Sequence, residues 1–230
     1  PAPDALAWHG YQLHHSLSSA FHPTPSDASV APGFTRHMMP ARHTGAAWAA
    51  SGPAALVTTG AGKFYSNGLD VEYAWGTEGA LAPYIDRVHE VFARVIELPM
   101  TTVAAINGHA FGAGAMLTLC HDVRFMRDDR GFWCLPEVAR STPFPPGIHS
   151  LVTSALPPQI SRLAMFTSHR FGAEDARAAG IVDGVASESA LVEECVKRAA
   201  PATALDGDNL KGVRTTWFAE TLSTLRTPMA

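Results

Sequence analysis

The sequence predicts an α/β fold, and three observations predict it. Short, mostly apolar runs such as 54–59 and 101–106 alternate through the middle of the chain with segments of helical period such as 84–98. Glycine-rich turns at 60–62 and 107–114 separate the two kinds of segment. With 230 residues, 47% hydrophobic and 17% charged, the chain has the apolar material for one well-buried domain of this class or two small ones.

In chain order, residues 1–51 stand apart. They hold six of the eleven histidines, two acids (Asp4, Asp27) and no lysine, and no period of two or of 3.6 is sustained. The histidine spacings fit no ligand pattern and no cysteine or nearby acid set joins them, so an atypical, poorly ordered leader is expected there in preference to a metal site. Residues 54–59 read as a buried strand, 60–62 as a turn, and 63–70 as a loop that enters a helix. Gly68 suits a close backbone approach, and Asp70 is placed to cap that helix. Residues 84–98 form an amphipathic helix, with Tyr84, Val88, Val91, Phe92 and Val95 on one face and Asp86, Arg87, Glu90 and Arg94 on the other. Pro99 ends it.

Next come a buried strand over 101–106, a glycine-rich turn over 107–114, the start of a buried helix over 115–120 and a strand over 123–126. Residues 142–147 (TPFPPG) read as a rigid turn. Residues 159–167 read as a helix with an apolar stripe of Ile160, Leu163, Ala164 and Phe166. A helix over 173–179 is stopped by Gly180, and 181–185 is extended. Ser187 or Ser189 is expected to cap a helix running through Ala200, supported by the pair Glu193 and Lys197. A linker over 201–208 then leads to a last amphipathic helix over 210–225.

Composition excludes several functions. A net charge of −4 supplies no basic patch for a nucleic-acid backbone. No apolar run approaches the roughly 20 residues that cross a bilayer, so no membrane partner is expected. Cys120, Cys134 and Cys195 are odd in number and lie in apolar segments, which predicts buried reduced thiols in a cytosol-like compartment. Dinucleotide, P-loop and GxSxG spacings are absent, and the side chains of Cys120 and His121, adjacent on a helix, diverge.

The positive signal lies between residues 100 and 137. A strand that runs through glycines into a helix presents backbone N–H groups, backed by the helix's positive end, to whatever sits above the turn. Downstream, Glu137 is a single carboxylate in the company of Phe132, Trp133, Cys134 and Leu135. Apolar surroundings disfavour its charged form, so it can exchange a proton near neutrality.

Four segments carry a family resemblance: KFYSNGLD at 63–70, NGHAFGAGAMLTLCHD at 107–122, LPEV at 135–138 and FGAEDARAAGIVD at 171–183. In this order they resemble the crotonase family of enoyl-CoA hydratases and isomerases over about two-thirds of the chain, whereas the first fifty residues match nothing in it. The resemblance implies a ββα spiral of two roughly perpendicular sheets over 52–185. It also implies a C-terminal helical region over 186–230 that packs homotrimers or a dimer of trimers, with Trp217, Phe218 and Leu222 as the stripe to be buried. Two oxyanion donors are implied, the amides of Leu69 and Ala113, with Glu137 as the base. Ser66, Asn67, Gly68, Asp70, Gly112, Gly114 and Met116 are implied to line the substrate.

No metal or redox cofactor is implied, because coenzyme A is part of the acyl-CoA thioester substrate. Met116 stands where the hydratases carry a second glutamate. A thioether neither deprotonates nor firmly holds a water, so the chain looks closest to the monofunctional enoyl-CoA delta-isomerases. A hydratase or another CoA-thioester lyase, and a silent CoA-binding or assembly subunit, are the alternatives. Arg140 is expected to lower the pKa of Glu137 or to crowd the site. Glu72 stands where relatives sometimes place a basic residue that meets the CoA phosphate; Lys211 and Arg214 could take that role, but a solvated face is expected of them in preference. The opening strands of the sheet are not evident, which would leave an edge unpaired. Without a peroxisomal address at 227–230 or an arginine-rich presequence, cytoplasm is expected, with mitochondrial matrix or peroxisome as alternatives.

Overall fold

A computed structural model describes residues 55–229. The expectation for 1–51 lies outside the described residues. Strand β1 (Ala55–Thr59) is followed by β2 (Phe64–Ser66) and by helices α1 (Val71–Gly76) and α2 (Leu81–Ile96). The pattern repeats with β3 (Thr101–Ile106), β4 (His109–Phe111) and α3 (Ala113–Leu119), then with β5 (Val123–Arg127) and β6 (Trp133–Cys134). Each turn of this spiral puts its first strand in one parallel sheet and its second in another.

The larger sheet has the order β1-β3-β5 with β7 (Gly184–Ala186) beyond, and pairs Val57 with Val103 and Val103 with Val123. All six residues of β3 are buried, because both faces of a parallel sheet are covered. On one side α7 (Leu191–Ala199) packs Leu191, Cys195 and Ala199 against Val103 and Ala105. On the other lies the main core around Phe92, Ile106, Leu117 and Trp133. The smaller sheet, β2-β4-β6, pairs Phe64 with His109 and Ala110 with Trp133. Strands of two or three residues are too short to show a period, so β2 and β4 were hidden in segments read as a loop and a turn.

Asp70 caps α1 as expected, accepting from Tyr73 N–H at 2.9 Å. Helix α2 buries Tyr84, Val88, Phe92 and Val95. Gly180, at φ +73°, terminates the helix α6 (Ala173–Ala178) region. All three cysteines are free and buried. Among the described residues β1 is an edge strand, and no helix is long and apolar enough to cross a membrane.

Several expectations need correction. The rigid turn over 142–147 gives way at Pro146 to α4 (Pro146–Ala155), which buries Ile148, Leu151 and Val152; proline at a helix's first position starts it. In α5 (Pro158–Thr167) the inward residues are Ser161, Ala164 and Met165, while Leu163 and Phe166 are 39% and 66% exposed. A serine can face the core there because the carbonyls of Val152, Leu156 and Pro157 all lie within reach of its single O–H donor. Neither Ser187 nor Ser189 caps α7: Ala190 holds that position, and the two hydroxyls pair with each other at 3.3 Å. The pair Glu193 and Lys197 does form, at 3.1 Å.

The supposed linker is a 3-10 turn (Ala200–Ala204) leading to α8 (Gly207–Trp217), which Asp206 caps. The last helix is two helices, α8 and α9 (Ala219–Leu225), broken at Phe218. The expected stripe is therefore split: Leu222 is buried within this chain, Phe218 packs against its core, and Trp217 is 72% exposed. Arg214 belongs to no solvated face and is not free to meet a phosphate. It is buried, donates to Ile96 O at 3.2 Å and Met100 O at 2.5 Å, and pairs with Asp122.

Candidate active site

Three chain segments converge where the smaller sheet ends. The first runs from Ser66 to Asp70, the second from Phe111 to Met116, and the third leads from β6 to Glu137. Gly68 adopts φ +89°, and a Cβ added to it would lie 2.8 Å from Phe111 O and 3.2 Å from Ala113 N. A Cβ on Gly114 would lie 2.4 Å from Ser66 O, closer than any real contact allows. The first two segments therefore touch backbone to backbone, and only residues without a side chain fit between them.

Among the described residues this packing leaves the N–H groups of Leu69 and Ala113 without an acceptor. Ala113 opens α3, where the first N–H groups of a helix have no intrahelical acceptor and the helix dipole adds positive character. The neighbouring Gly112 N–H, by contrast, is committed to Cys134 O at 3.1 Å and so stitches the second segment to the third.

Glu137 closes the arrangement. Gly112, at φ +53°, would place a Cβ 3.3 Å from Glu137 Oε1, so the carboxyl group lies directly against the residue that precedes Ala113. Its backbone begins a 3-10 turn (Val138–Arg140), and its carbonyl accepts from Thr142 N at 2.9 Å. Oε2 is buried and has no hydrogen-bond partner among the described residues. Burial pushes the pKa of Glu137 up to about 7, against smaller downward pulls from its own backbone N–H and from Arg140. Arg140 thus acts in the expected direction and loses to desolvation. No other acid acts on Glu137 among the described residues.

The remaining predicted residues divide by what they touch. Ser66 is buried under Gly114, and its hydroxyl accepts from Gly68 N at 3.3 Å, which shapes the loop. Asp70 turns to the α1 terminus, and its own N–H goes to Tyr84 Oη at 3.1 Å, so it holds the loop's far end. Met116 is buried one turn into α3, with its N–H on Gly112 O. Leu69 is half-buried against the core, and Asn67 is exposed. Sequence reasoning missed the Cys134 carbonyl and the polar side chains behind α3. A tryptophan four residues before the acid was a usable signal, since a buried indole N–H seeks a partner.

A sequence model described as Enoyl-CoA hydratase/isomerase matches residues 52–214. The chain is 38% identical to Enoyl-CoA delta isomerase 3 of Arabidopsis thaliana, over 74% of this chain and 71% of that protein. It is also 38% identical to Enoyl-CoA delta isomerase 2, peroxisomal, of the same plant, over 58% of this chain and 59% of that one. Among solved structures, an enoyl-CoA isomerase of Mycobacterium tuberculosis is 25% identical with a TM-score of 0.69, covering 75% of each chain.

Proposed function

The chain belongs to the enoyl-CoA hydratase/isomerase family, and on that premise we propose that it moves the double bond of a 3-enoyl-CoA into conjugation, giving the 2-enoyl-CoA. The carrying observation is the Glu137 carboxyl group, whose buried Oε2 has no hydrogen-bond partner among the described residues, set against the segment that carries the uncommitted Ala113 N–H.

The amides of Leu69 and Ala113 bind the thioester oxygen. As Glu137 removes a proton from carbon 2, the C–H electron pair moves into the conjugated system and the negative charge gathers on that oxygen. Two pre-set N–H donors in a dry site supply several kcal/mol of stabilisation there. Glu137, now protonated, gives the proton to carbon 4, and the double bond relocates from carbons 3 and 4 to carbons 2 and 3. One base serves both steps when both carbons lie on one face of the dienolate. A base must be ionised in one step and acidic in the next, and a value near 7 suits both. Met116 presents no group that would activate a water, which favours isomerisation over hydration. Coenzyme A enters as part of the substrate, and no metal or redox group takes part in these steps.

Following the absorbance of the conjugated thioester on addition of a 3-enoyl-CoA tests the reading. Glu137→Gln is expected to lower kcat by about 10³-fold with CoA binding retained. Retention of both rate and binding would remove Glu137 from the role. A relative named Carnitinyl-CoA dehydratase, from Citrobacter koseri and 32% identical, motivates the hydratase alternative. Hydration of crotonyl-CoA faster than isomerisation would favour that alternative, and binding without any turnover the silent subunit. Two further readings belong here. A homotrimer is expected from light scattering, with exposed Trp217 at its contacts. The names of two isomerase relatives, which include the word peroxisomal, support the peroxisome alternative to the cytoplasm, and imaging of a tagged chain tests it.

A further inference from the structure

Helix α3 carries the Ala113 donor, and buried polar side chains that the proposed chemistry does not use hold it from behind. Trp133 Nε1–H donates to Thr118 Oγ1 at 3.0 Å, and that hydroxyl donates to Ala115 O at 2.6 Å; both side chains are fully buried. Trp133 stands four residues before Glu137 on a strand of only two residues. A ladder that short fixes little by itself.

The other end of α3 is tied to the first segment. His121 Nδ1 lies 2.9 Å from Leu117 O, and a carbonyl only accepts, so Nδ1 carries the proton. Nε2 must then accept from Thr58 Oγ1 at 2.9 Å, which leaves Thr58 to accept from Tyr65 Oη at 2.8 Å. The chain of donors runs Tyr65, Thr58, His121, Leu117, and every member has one consistent role only while the imidazole is neutral. Burial favours that state. Tyr65 directly precedes Ser66, where the first segment begins.

We infer that Trp133 and Thr118 are a positioning pair that sets Glu137 against the Ala113 donor, with Tyr65, Thr58 and His121 anchoring the Leu69 donor to the same helix. The inference rests on the proposed function, because it assigns these side chains a part in that geometry. A buried hydrogen bond of this kind contributes modestly to stability. Its larger consequence is geometric, since displacing a reacting group by about 1 Å can cost about 10²-fold in rate.

The experiment compares Thr118→Val, which keeps the shape and removes the hydroxyl, with Thr118→Ser, which keeps the hydroxyl. Thr118→Val is expected to lower kcat on a 3-enoyl-CoA by about 10-fold with KM within about twofold of the parent. The acidic limb of its kcat profile moves to lower pH as water reaches Glu137. Thr118→Ser restores both. Trp133→Phe gives the same loss, and the double variant is no slower than Thr118→Val alone, because the indole–hydroxyl bond is lost in every case. Should Trp133→Phe fail to fold, the Thr118 pair still decides. A folded Thr118→Val variant with the parent's kcat and pH profile overturns the inference, as does Thr118→Ser impaired as badly as Thr118→Val. Glu137→Gln is measured alongside. If it keeps turnover, the functional reading falls; if it is dead while Thr118→Val runs at the parent rate, only the positioning role falls.

Discussion

The two sides of the candidate site are built by opposite means. On the donor side the groups that matter are backbone N–H groups, and packing alone puts them in place: Gly68 and Gly114 let two segments meet at distances no side chain would permit. On the base side one side chain does the work. Glu137 sits on a short turn with exposed Val138, Ala139 and Arg140 around it, and its character comes from the apolar matter that buries its carboxyl group. The donor side is therefore sensitive to volume and indifferent to pH, and the base side is the reverse.

Breaking the donor side needs only a methyl group. Gly114→Ala places a Cβ 2.4 Å from Ser66 O and forces the segments apart, and about a 10²-fold loss of kcat is expected at every pH. A flat ratio of variant to parent across pH 5 to pH 9, read in the conjugation assay, distinguishes this from an effect on the base. The base side answers to protons instead. With Glu137 at about 7, kcat/KM should climb about tenfold per pH unit below that value and level off above it.

The same shift has a thermodynamic face. The folded value lies above the ordinary 4.5, so the folded state holds the proton more tightly than the unfolded chain does. Ionisation therefore costs the fold, and stability falls as pH rises from 4.5 to about 7 and is level beyond. Glu137→Gln escapes that cost, and denaturant titrations should show it gaining at most roughly 3 kcal/mol over the parent at pH 8 relative to pH 4. The smallest effect belongs to Arg140→Gln. Removing a cation that pulls Glu137 down should move the midpoint of the pH profile slightly upward, with the plateau rate unchanged.

The parts of the fold legible in the sequence are those with one dominant physical cause. Strand β3 read correctly because a parallel strand covered on both faces is a short, mostly apolar run, and all six of its residues are buried. The inward face of α2 read correctly because sixteen residues carry a clear 3.6 period. Errors gathered where two causes compete. Pro145 and Pro146 look like a stop and act as a start. Ser161 looks like surface and is core, because three carbonyls lie within its reach. The change of buried face between Arg214 on α8 and Leu222 on α9, which accompanies the break at Phe218, depends on tertiary partners that no local pattern reveals. At the site, the apolar surroundings of Glu137 and the glycines were visible in the sequence. The unused N–H groups, the Gly112 link to Cys134 and the Trp133 tie depend on segments far apart in the chain meeting in space.

Because neither uncommitted N–H belongs to a side chain, the residues that carry them can drift without dulling the grip on a carbonyl. In the proposed mechanism the choice of which bond rearranges is left to two codons, those for Met116 and Glu137. A lineage with this backbone could explore new reactions one substitution at a time, with the costliest component, the polarising cradle, inherited unchanged.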